Sequence, residues 1–581
     1  MTRSSTSPVR YRFGRFDLQP GERRLLAGGE PVVVGPRAFD VLIALVERAG
    51  ELVSKEELLE RVWPKLVVEE NNLQVQVSSL RKLLGPDAVA TIPGRGYRFT
   101  LKLERADASG WRDGTMPSIA VLPFVNVSDD VTNEYFADGL SEELLNVLAK
   151  IQGLHVASRT SAFSFKGTQV DIPTVAQKLN VATILEGSVR KSGRRVRIAV
   201  QLIRADTDAH LWSETYDREL DDIFAVQDDI AQSVVKELRS ALLGEKPDES
   251  AKAAVKAEVQ AAAKGRGQNA DAYRLYLQGR FFEDRFTRED MAKAIGYYRQ
   301  ALELDSEYAL AWAGLSRAYS DQAGYSWDMA IVDGFAKARE AAERALQLEP
   351  DLAEAQRAMG RVRLDYDWDW KGADAFFQRA LELAPGDAQV LCEMAILAGT
   401  LGRLQEAIGL LRRAAALDPL SVPVCQSLAN WCLIANFLEE AEAAVKKTLE
   451  LNPLGARTHF SLGVIRLTQG QLDEALDEFR REGHDTFRLL GLALVQHARG
   501  RSAESDAALR ELIDHNAAGG AKQIAEAYAY RGEADLAFEW LERAYAQRDP
   551  GTGMVKVAPR LRSLHRDPRW QPFLAKMGLD D

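Results

Sequence analysis

Asn71, Asn72, Ser78 and Ser79 carry short amide and hydroxyl side chains, and Arg81 and Lys82 follow within one turn. Amides and hydroxyls can match the donor and acceptor pattern of base edges in a DNA major groove, and the two cations can meet phosphate. Val75 stands among them as an apolar group, for which a thymine methyl is a fitting partner. On a helix turning about 100° per residue, Leu73, Val77, Leu80 and Leu84 fall on one stripe, which must face a core. Asn71, Val75, Ser78, Ser79 and Lys82 then occupy the opposite side, with Asn72 beside them. Glu69 and Glu70 open the helix, where its dipole favours negative charge. Taken alone, the pattern also suits an ordinary amphipathic surface helix, so the flanking elements decide.

Ser54 and Glu57 have the spacing of a capping box that opens a short helix with Leu58, Leu59, Val62 and Trp63. Pro64 closes it, and Lys65 to Val68 form a loop. Before it, Pro36 to Ala49 reads as another helix, with Phe39, Leu42, Ile43, Leu45 and Val46 as its apolar residues. Downstream, Val89–Ile92 and Tyr97–Leu101 read as strands around the tight turn Gly94-Arg95-Gly96. Short strand-like runs at Tyr11–Phe16 and Pro31–Val34 come first. The expected order is small sheet, three helices, hairpin.

Arg37-Ala38-Phe39-Asp40-Val41-Leu42, Leu52-Val53-Ser54, Val77-Ser78-Ser79-Leu80-Arg81-Lys82-Leu83 and Gly96-Tyr97-Arg98-Phe99 resemble the OmpR/PhoB-type winged helix-turn-helix. The resemblance covers residues 8–103, N-terminal sheet included. It implies a third helix in the major groove of double-stranded DNA, with Asn71, Asn72, Val75, Ser78, Ser79, Arg81 and Lys82 as its contact residues. It also implies a wing whose Arg95, Tyr97 and Arg98 touch the neighbouring minor groove or backbone. Head-to-tail pairing on direct repeats, and an RNA polymerase contact through the 64–70 loop, belong to the same expectation. Two departures stand out: many members carry arginines where this chain has Ser78 and Ser79, and Pro93 stands where an arginine is common.

Charge agrees with that placement. Residues 1–105 hold 17 Lys and Arg against 13 Asp and Glu, a surplus of four, in a chain whose total is −11. The remaining 476 residues therefore carry −15, so only the N-terminal module has the sign that approaches phosphate. Cys392, Cys425 and Cys432 form an odd, sparse set without a C-x-x-C pair, which suits buried apolar positions in a reducing compartment. Residues 1–10 are polar and do not read as a signal peptide, and they leave no room for a receiver domain ahead of the winged helix. With no apolar run of about 18 residues a membrane span is not expected, unlike in the CadC/ToxR-like regulators that share this module. A cytoplasmic location follows.

Beyond a polar linker at 104–116, Ser118 to Phe124 is a nearly unbroken apolar run suited to a buried strand. Helices are expected at 133–151, 173–179 and 224–242, and strands at 154–159, 182–189, 195–203 and 210–216, giving an α/β domain over 117–243. Ile119-Ala120-Val121-Leu122-Pro123-Phe124, Phe136-Ala137-Asp138-Gly139-Leu140-Ser141, Leu185-Glu186-Gly187-Ser188-Val189-Arg190 and Leu211-Trp212-Ser213-Glu214 resemble the TolB N-terminal-like or FlgO-like domain. Asp138-Gly139-Leu140-Ser141 reads as a helix entry, either an N-cap with a turn glycine or an anion-binding terminus. Asp129-Asp130 reads as a solvated loop pair.

A second linker, Ala/Lys/Glu-rich and semi-helical, spans 244–270. From 271 to 581 the chain repeats. Pro350, Pro385, Pro419 and Pro453 follow Leu-rich segments at intervals of 35, 34 and 34 residues. That period, with two helices per unit, identifies tetratricopeptide repeats, seven or eight of them, with a cap around Trp570 and Phe573. Tyr325–Gly334 is an insertion. Trp327, Trp368 and Trp370 fit core or contact positions, core being preferred. Such arrays bind a protein partner, self-associate or serve as scaffold.

The fold class expected is thus multidomain: a winged helix-turn-helix (α+β), a small α/β domain and an all-α tetratricopeptide-repeat solenoid. The function expected is sequence-specific DNA binding in transcriptional regulation, with the signal received by the C-terminal modules. The alternative is an interaction scaffold whose winged helix binds protein. No catalytic residue, cofactor or metal is expected; Walker, H-E-x-x-H and nucleophile–histidine groupings are missing from the sequence.

Overall fold

The computed structural model describes residues 10–580 except 14–15, 20–23, 28–29, 33, 47, 49–52, 63–69, 86–87, 93–94, 102–103, 107–116, 129–133, 150, 152–153, 169, 194, 220–222, 244–254, 258, 260–264, 266, 268, 326–328 and 454. It divides into two compact units, 1–113 and 114–581.

In the first unit, β1 (Arg10–Phe13), β2 (Phe16–Gln19), β3 (Arg24–Ala27) and β4 (Glu30–Val32) form an antiparallel meander. A fifth strand, β8 (Glu104–Ala106), pairs with β1, Tyr11 opposite Arg105. The polar stretch expected as linker from residue 104 therefore begins inside the sheet. Between them come α1 (Pro36–Val46), β5 (Val53–Ser54), α2 (Lys55–Val62), α3 (Glu70–Leu84), β6 (Val89–Ile92) and β7 (Gly96–Phe99). The expected α3 stripe is real: Leu73, Val77, Leu80 and Leu84 are all buried in one core with Phe39, Leu42, Leu58 and Phe99. Phe13 packs edge-on against Phe99 at 5.0 Å, tying the first sheet to the hairpin. The capping box is formed, Ser54 N donating to Glu57 Oε2 at 2.9 Å and Glu57 N to Ser54 Oγ at 3.1 Å.

The second unit opens with a mixed sheet of order β11-β9-β12-β13-β14: β11 (His155–Val156), β9 (Ser118–Val121), β12 (Thr183–Ser192), β13 (Arg195–Arg204), β14 (Ala209–Glu219). A short β10 (Val125–Asn126) also pairs with β12. Both faces of β9 are covered, which is why it reads as an unbroken apolar run. Ile119 and Val121 join the core under α4 (Glu134–Leu148) and α7 (Ile223–Leu243), and Ala120 joins the one under α6 (Ile172–Leu179). Between β9 and β10 the chain leaves the ladder at Phe124, whose N–H donates instead to Ser141 Oγ at 2.8 Å.

Two expectations change here. The strand foreseen at 154–159 stops early because Ser158 caps a short helix, α5 (Arg159–Phe163), its side chain accepting from Ser161 N. Asp138 does not open a helix: α4 starts at Glu134, and Asp138 pairs with Lys166 at 2.6 Å. Gly139 lies inside that helix because a Cβ there would meet the Tyr273 ring at 2.8 Å. Asp129 and Asp130 lie outside the described residues.

The 244–270 stretch is not only a spacer, since Val255 and Val259 are buried in the α/β core. Eight helix pairs follow: 270–285 with 288–304, 309–324 with 331–348, 353–362 with 370–383, 388–400 with 404–417, 422–434 with 438–451, 458–468 with 472–481, 485–498 with 502–516, and 521–530 with 534–546. Within them, glycines let helices meet aromatic rings. A Cβ at Gly463 or Gly491 would reach the Phe479 ring at 2.5 and 2.2 Å. Trp368 and Trp370 are core residues, Trp327 lies outside the described residues, and Trp570 and Phe573 are buried in the C-terminal cap.

The array closes on itself. One core runs from Leu364, Trp368 and Trp370 in the third pair to Phe538, Trp540 and Trp570 at the end. Trp370 Nε1 donates to the Met577 carbonyl at 2.8 Å, and Trp368 lies 5.3 Å from Tyr545. The α/β domain docks on the same array. Glu142 is held by Arg159 at 3.0 Å and Arg280 at 3.4 Å, Arg159 also reaches Asp284 at 2.6 Å, and Ser161 Oγ donates to Asp418 at 2.5 Å.

Candidate nucleic-acid interface

The outward face of α3 is built as its residue types require. Asn72, Val75, Ser78, Ser79 and Lys82 are exposed, and Val75 is 56% accessible. An aliphatic side chain so open suits contact with a thymine methyl. Gln74 is exposed as well. Sequence reasoning passed over it, although its amide offers the same bidentate chemistry to adenine as Asn72. Asn71 is part of the helix, but its side chain lies outside the described residues, as do those of Glu69 and Glu70.

Two of the expected contact residues are placed otherwise. The Arg81 guanidinium turns along the helix, Nε and Nη2 donating to the Val89 carbonyl at 2.8 and 2.6 Å and Nη2 also to Thr91 Oγ1 at 2.6 Å. It fastens α3 to the first strand of the hairpin instead of pointing at phosphate. Tyr97, at 4% exposure, faces the core: β7 alternates, with Tyr97 and Phe99 inward and Arg98 outward. Tyr97 sits opposite Val53 of β5, a pairing across 44 positions that local pattern does not reveal.

The wing keeps two cations, Arg95 at the turn and Arg98 on β7, both exposed. Its approach to β5 depends on Gly96, where a Cβ would lie 2.1 Å from the Val53 carbonyl oxygen. Pro93, Gly94 and the 64–69 loop lie outside the described residues. Arg37 Nη1 donates to the Val62 carbonyl at 2.6 Å, satisfying the end of α2 and fixing α1 against it. The site is thus a polar helix face with one apolar insert, next to a hairpin carrying two exposed cations at its turn and outer edge. Such a surface suits binding.

Residues 29–99 match the family described as "Transcriptional regulatory protein, C terminal", and residues 115–233 match "HilA/YgeH-like transcriptional regulator, second domain". The first is the OmpR/PhoB-type DNA-binding domain; the second gives the α/β domain a regulator setting. The chain is 37% identical over 234 residues to "Putative adenylate cyclase 3" of Rhizobium meliloti, covering 40% of this chain and 38% of that protein. It is 23% identical over 404 residues to the transcriptional regulator HilA of Salmonella typhimurium, covering 68% of each. Against the phosphate regulon regulatory protein PhoB of Escherichia coli it is 36% identical over 92 residues, 15% of this chain and 40% of PhoB. The chain thus spans well under half the length of the cyclase and of PhoB, and about two thirds of HilA. No helix among the described residues is long and apolar enough to cross a membrane.

Proposed function

We propose that this chain is a cytoplasmic, sequence-specific transcriptional regulator that binds double-stranded DNA through α3 and the β6–β7 wing. The observation that carries the reading is the exposed face of α3, where Asn72, Gln74, Val75, Ser78 and Ser79 stand together without a core to serve. Asn72, Gln74 and Ser79 read bases, Val75 a thymine methyl, and Lys82, Arg95 and Arg98 meet phosphate or minor groove. The α/β domain and the repeat array receive the controlling signal, and the array offers a surface for a protein partner or a second copy. Contact with RNA polymerase through the 64–70 loop belongs to the same proposal. The protein works by binding, not catalysis: its similarity to the cyclase is partial, whereas the similarity to HilA covers two thirds of both chains.

The test is selection of genomic fragments by the full chain at two salt concentrations, followed by sequencing of the bound DNA. A shared motif with spaced, directly repeated half-sites is expected at both. Recovery of fragments with no common motif, equally lost as salt rises, would leave only non-specific phosphate binding and end the proposal.

A further inference from the structure

The closed array surrounds a cavity of about 1020 Å³, lined by the first helix of each of the eight pairs and by the C-terminal segment 549–562. Several charges on its wall are paired with carboxylates. Arg317 is paired with Glu283 at 2.7 Å and Arg361 with Glu393 at 2.9 Å. Arg457 is not. Its φ of +68° places a non-glycine residue in left-handed backbone, and Glu482 holds it there by accepting from Arg457 N at 3.1 Å, Phe460 N at 3.0 Å and His484 N at 2.9 Å. Strain of this kind persists where surrounding structure over-determines it, often to aim a side chain. Among the described residues the guanidinium meets Asn430 Oδ1 at 3.3 Å and the Phe487 ring at 5.1 Å, and its Nε is buried with no hydrogen-bond partner.

Two further cations converge beside it on the cavity wall. Lys522, 7% exposed, and Arg560 share a single carboxylate, Glu526, at 2.6 and 2.8 Å, itself 1% exposed. Asp549, another nearby acid, accepts backbone N–H groups from Lys522 at 3.2 Å and Gly551 at 2.9 Å. Burial, together with repulsion from Arg560 and Arg457, holds the Lys522 ammonium below the usual lysine range despite Glu526. Glu482 and Asp549 both spend their oxygens on backbone N–H groups, so among the described residues Glu526 is the one carboxylate that meets these cationic side chains.

We propose that Arg457, Lys522 and Arg560 form a binding site for a carboxylate or phosphate group of a compact, small-molecule anion. A bound anion would give Arg457 its missing acceptor and offset the repulsion among the three cations. The ligand is compact because the chain's own Pro550, Gly551, Met554 and Pro559 line this end of the cavity, where an extended polypeptide would have to run. The site stands on its geometry; its role as the regulator's signal input rests on the function proposed above.

Isothermal titration of the full chain with sodium pyrophosphate and with citrate, ionic strength being held constant with KCl, tests the site and separates phosphate from carboxylate. Saturable binding of one anion per chain is expected for at least one of the two. Arg457→Gln should raise its Kd about tenfold or more, and Arg457→Lys by less. Arg413→Gln, at an exposed position outside the cavity, should leave it unchanged. A measurement on the unaltered protein guards against misfolded variants: the binding anion should protect Lys522 from amine acylation read by mass spectrometry. No saturable binding of either anion, equal binding by Arg457→Gln and Arg413→Gln, or unprotected Lys522 at saturation would overturn the site. DNA takes no part in these readouts, so their failure leaves DNA recognition standing, and failure to select a DNA motif leaves the anion site standing.

Discussion

Arg81→Ala separates a phosphate-contacting arginine from a structural one. The side chain donates to two acceptors, the Val89 carbonyl through Nε and Nη2 and Thr91 Oγ1 through Nη2, all at 2.6 to 2.8 Å. The guanidinium is only half-buried, so each bond sits at the low end of the charged-donor range, and the loss sums to about 1–2 kcal/mol. That energy fastens the wing to α3. Native-state hydrogen exchange on the full chain should therefore show the β6 and β7 amides exchanging about 5–30 times faster. The salt dependence of DNA affinity should keep its slope, because no phosphate contact has gone. Lys82→Ala should do the reverse, flattening the slope by about 0.9 per lost contact and leaving exchange alone. Thr91→Val removes one of the acceptors and, in a double-mutant cycle with Arg81→Ala, should be strongly coupled to it. If Arg81→Ala flattens the slope as Lys82→Ala does, with wing exchange unchanged, then Arg81 swings to phosphate on DNA and the argument fails.

Asn72→Ala and Ser79→Ala should each cost about 1–3 kcal/mol on the selected site and little on random DNA, measured by fluorescence anisotropy; equal losses on both would make the helix a positioning element. Gly96→Ala forces a Cβ toward the Val53 carbonyl at 2.1 Å and should destabilise the wing by about 1–3 kcal/mol, visible as faster exchange at Val53 and Tyr97. Asp418 has its pKa raised to about 6 by burial, ahead of the opposing bonds from Ser158 and Ser161. Because the folded state holds the proton more tightly, this group's stabilisation is complete below its unfolded value of 3.8 and is lost as pH rises through 6. Asp418→Asn should accordingly gain about 2 kcal/mol over the parent in denaturant unfolding at pH 8, a gain that vanishes near pH 4. Deleting residues 549–581 should speed exchange back at Leu364–Phe377, in the third helix pair, because these share a core with the deleted segment; protection confined to losses in the last pairs would contradict closure.

What the sequence conveyed well was whatever one helix or one turn decides. The α3 limits and buried stripe follow from apolar spacing, the α2 entry from Ser54 and Glu57, and the repeats from their period. Placement that needed a distant partner stayed hidden. Tyr97 turns inward because β7 pairs with Val53, and Arg81 turns aside because Val89 and Thr91 lie within its reach. Glu104–Ala106 has no alternation to announce a strand and owes its form to β1. Asp138 looked like a cap since Asp-Gly-Leu-Ser is a common helix entry, yet Gly139 is there to let Tyr273 approach. A 34-residue period fixes how neighbours stack but is silent on whether the last helices return to the third pair.

That return changes what kind of evolution the array can undergo. An open stack grows or shrinks by copying or dropping a unit, since each touches only its neighbours. Here the Trp370–Met577 bond and the joined core make the number of units between them a closure condition, much as strand number is for a barrel. Adding or removing one unit would part Trp370 from Met577 and break the wall around the cavity. Substitution within units leaves that closure intact, whereas duplicating a unit would have to rebuild it.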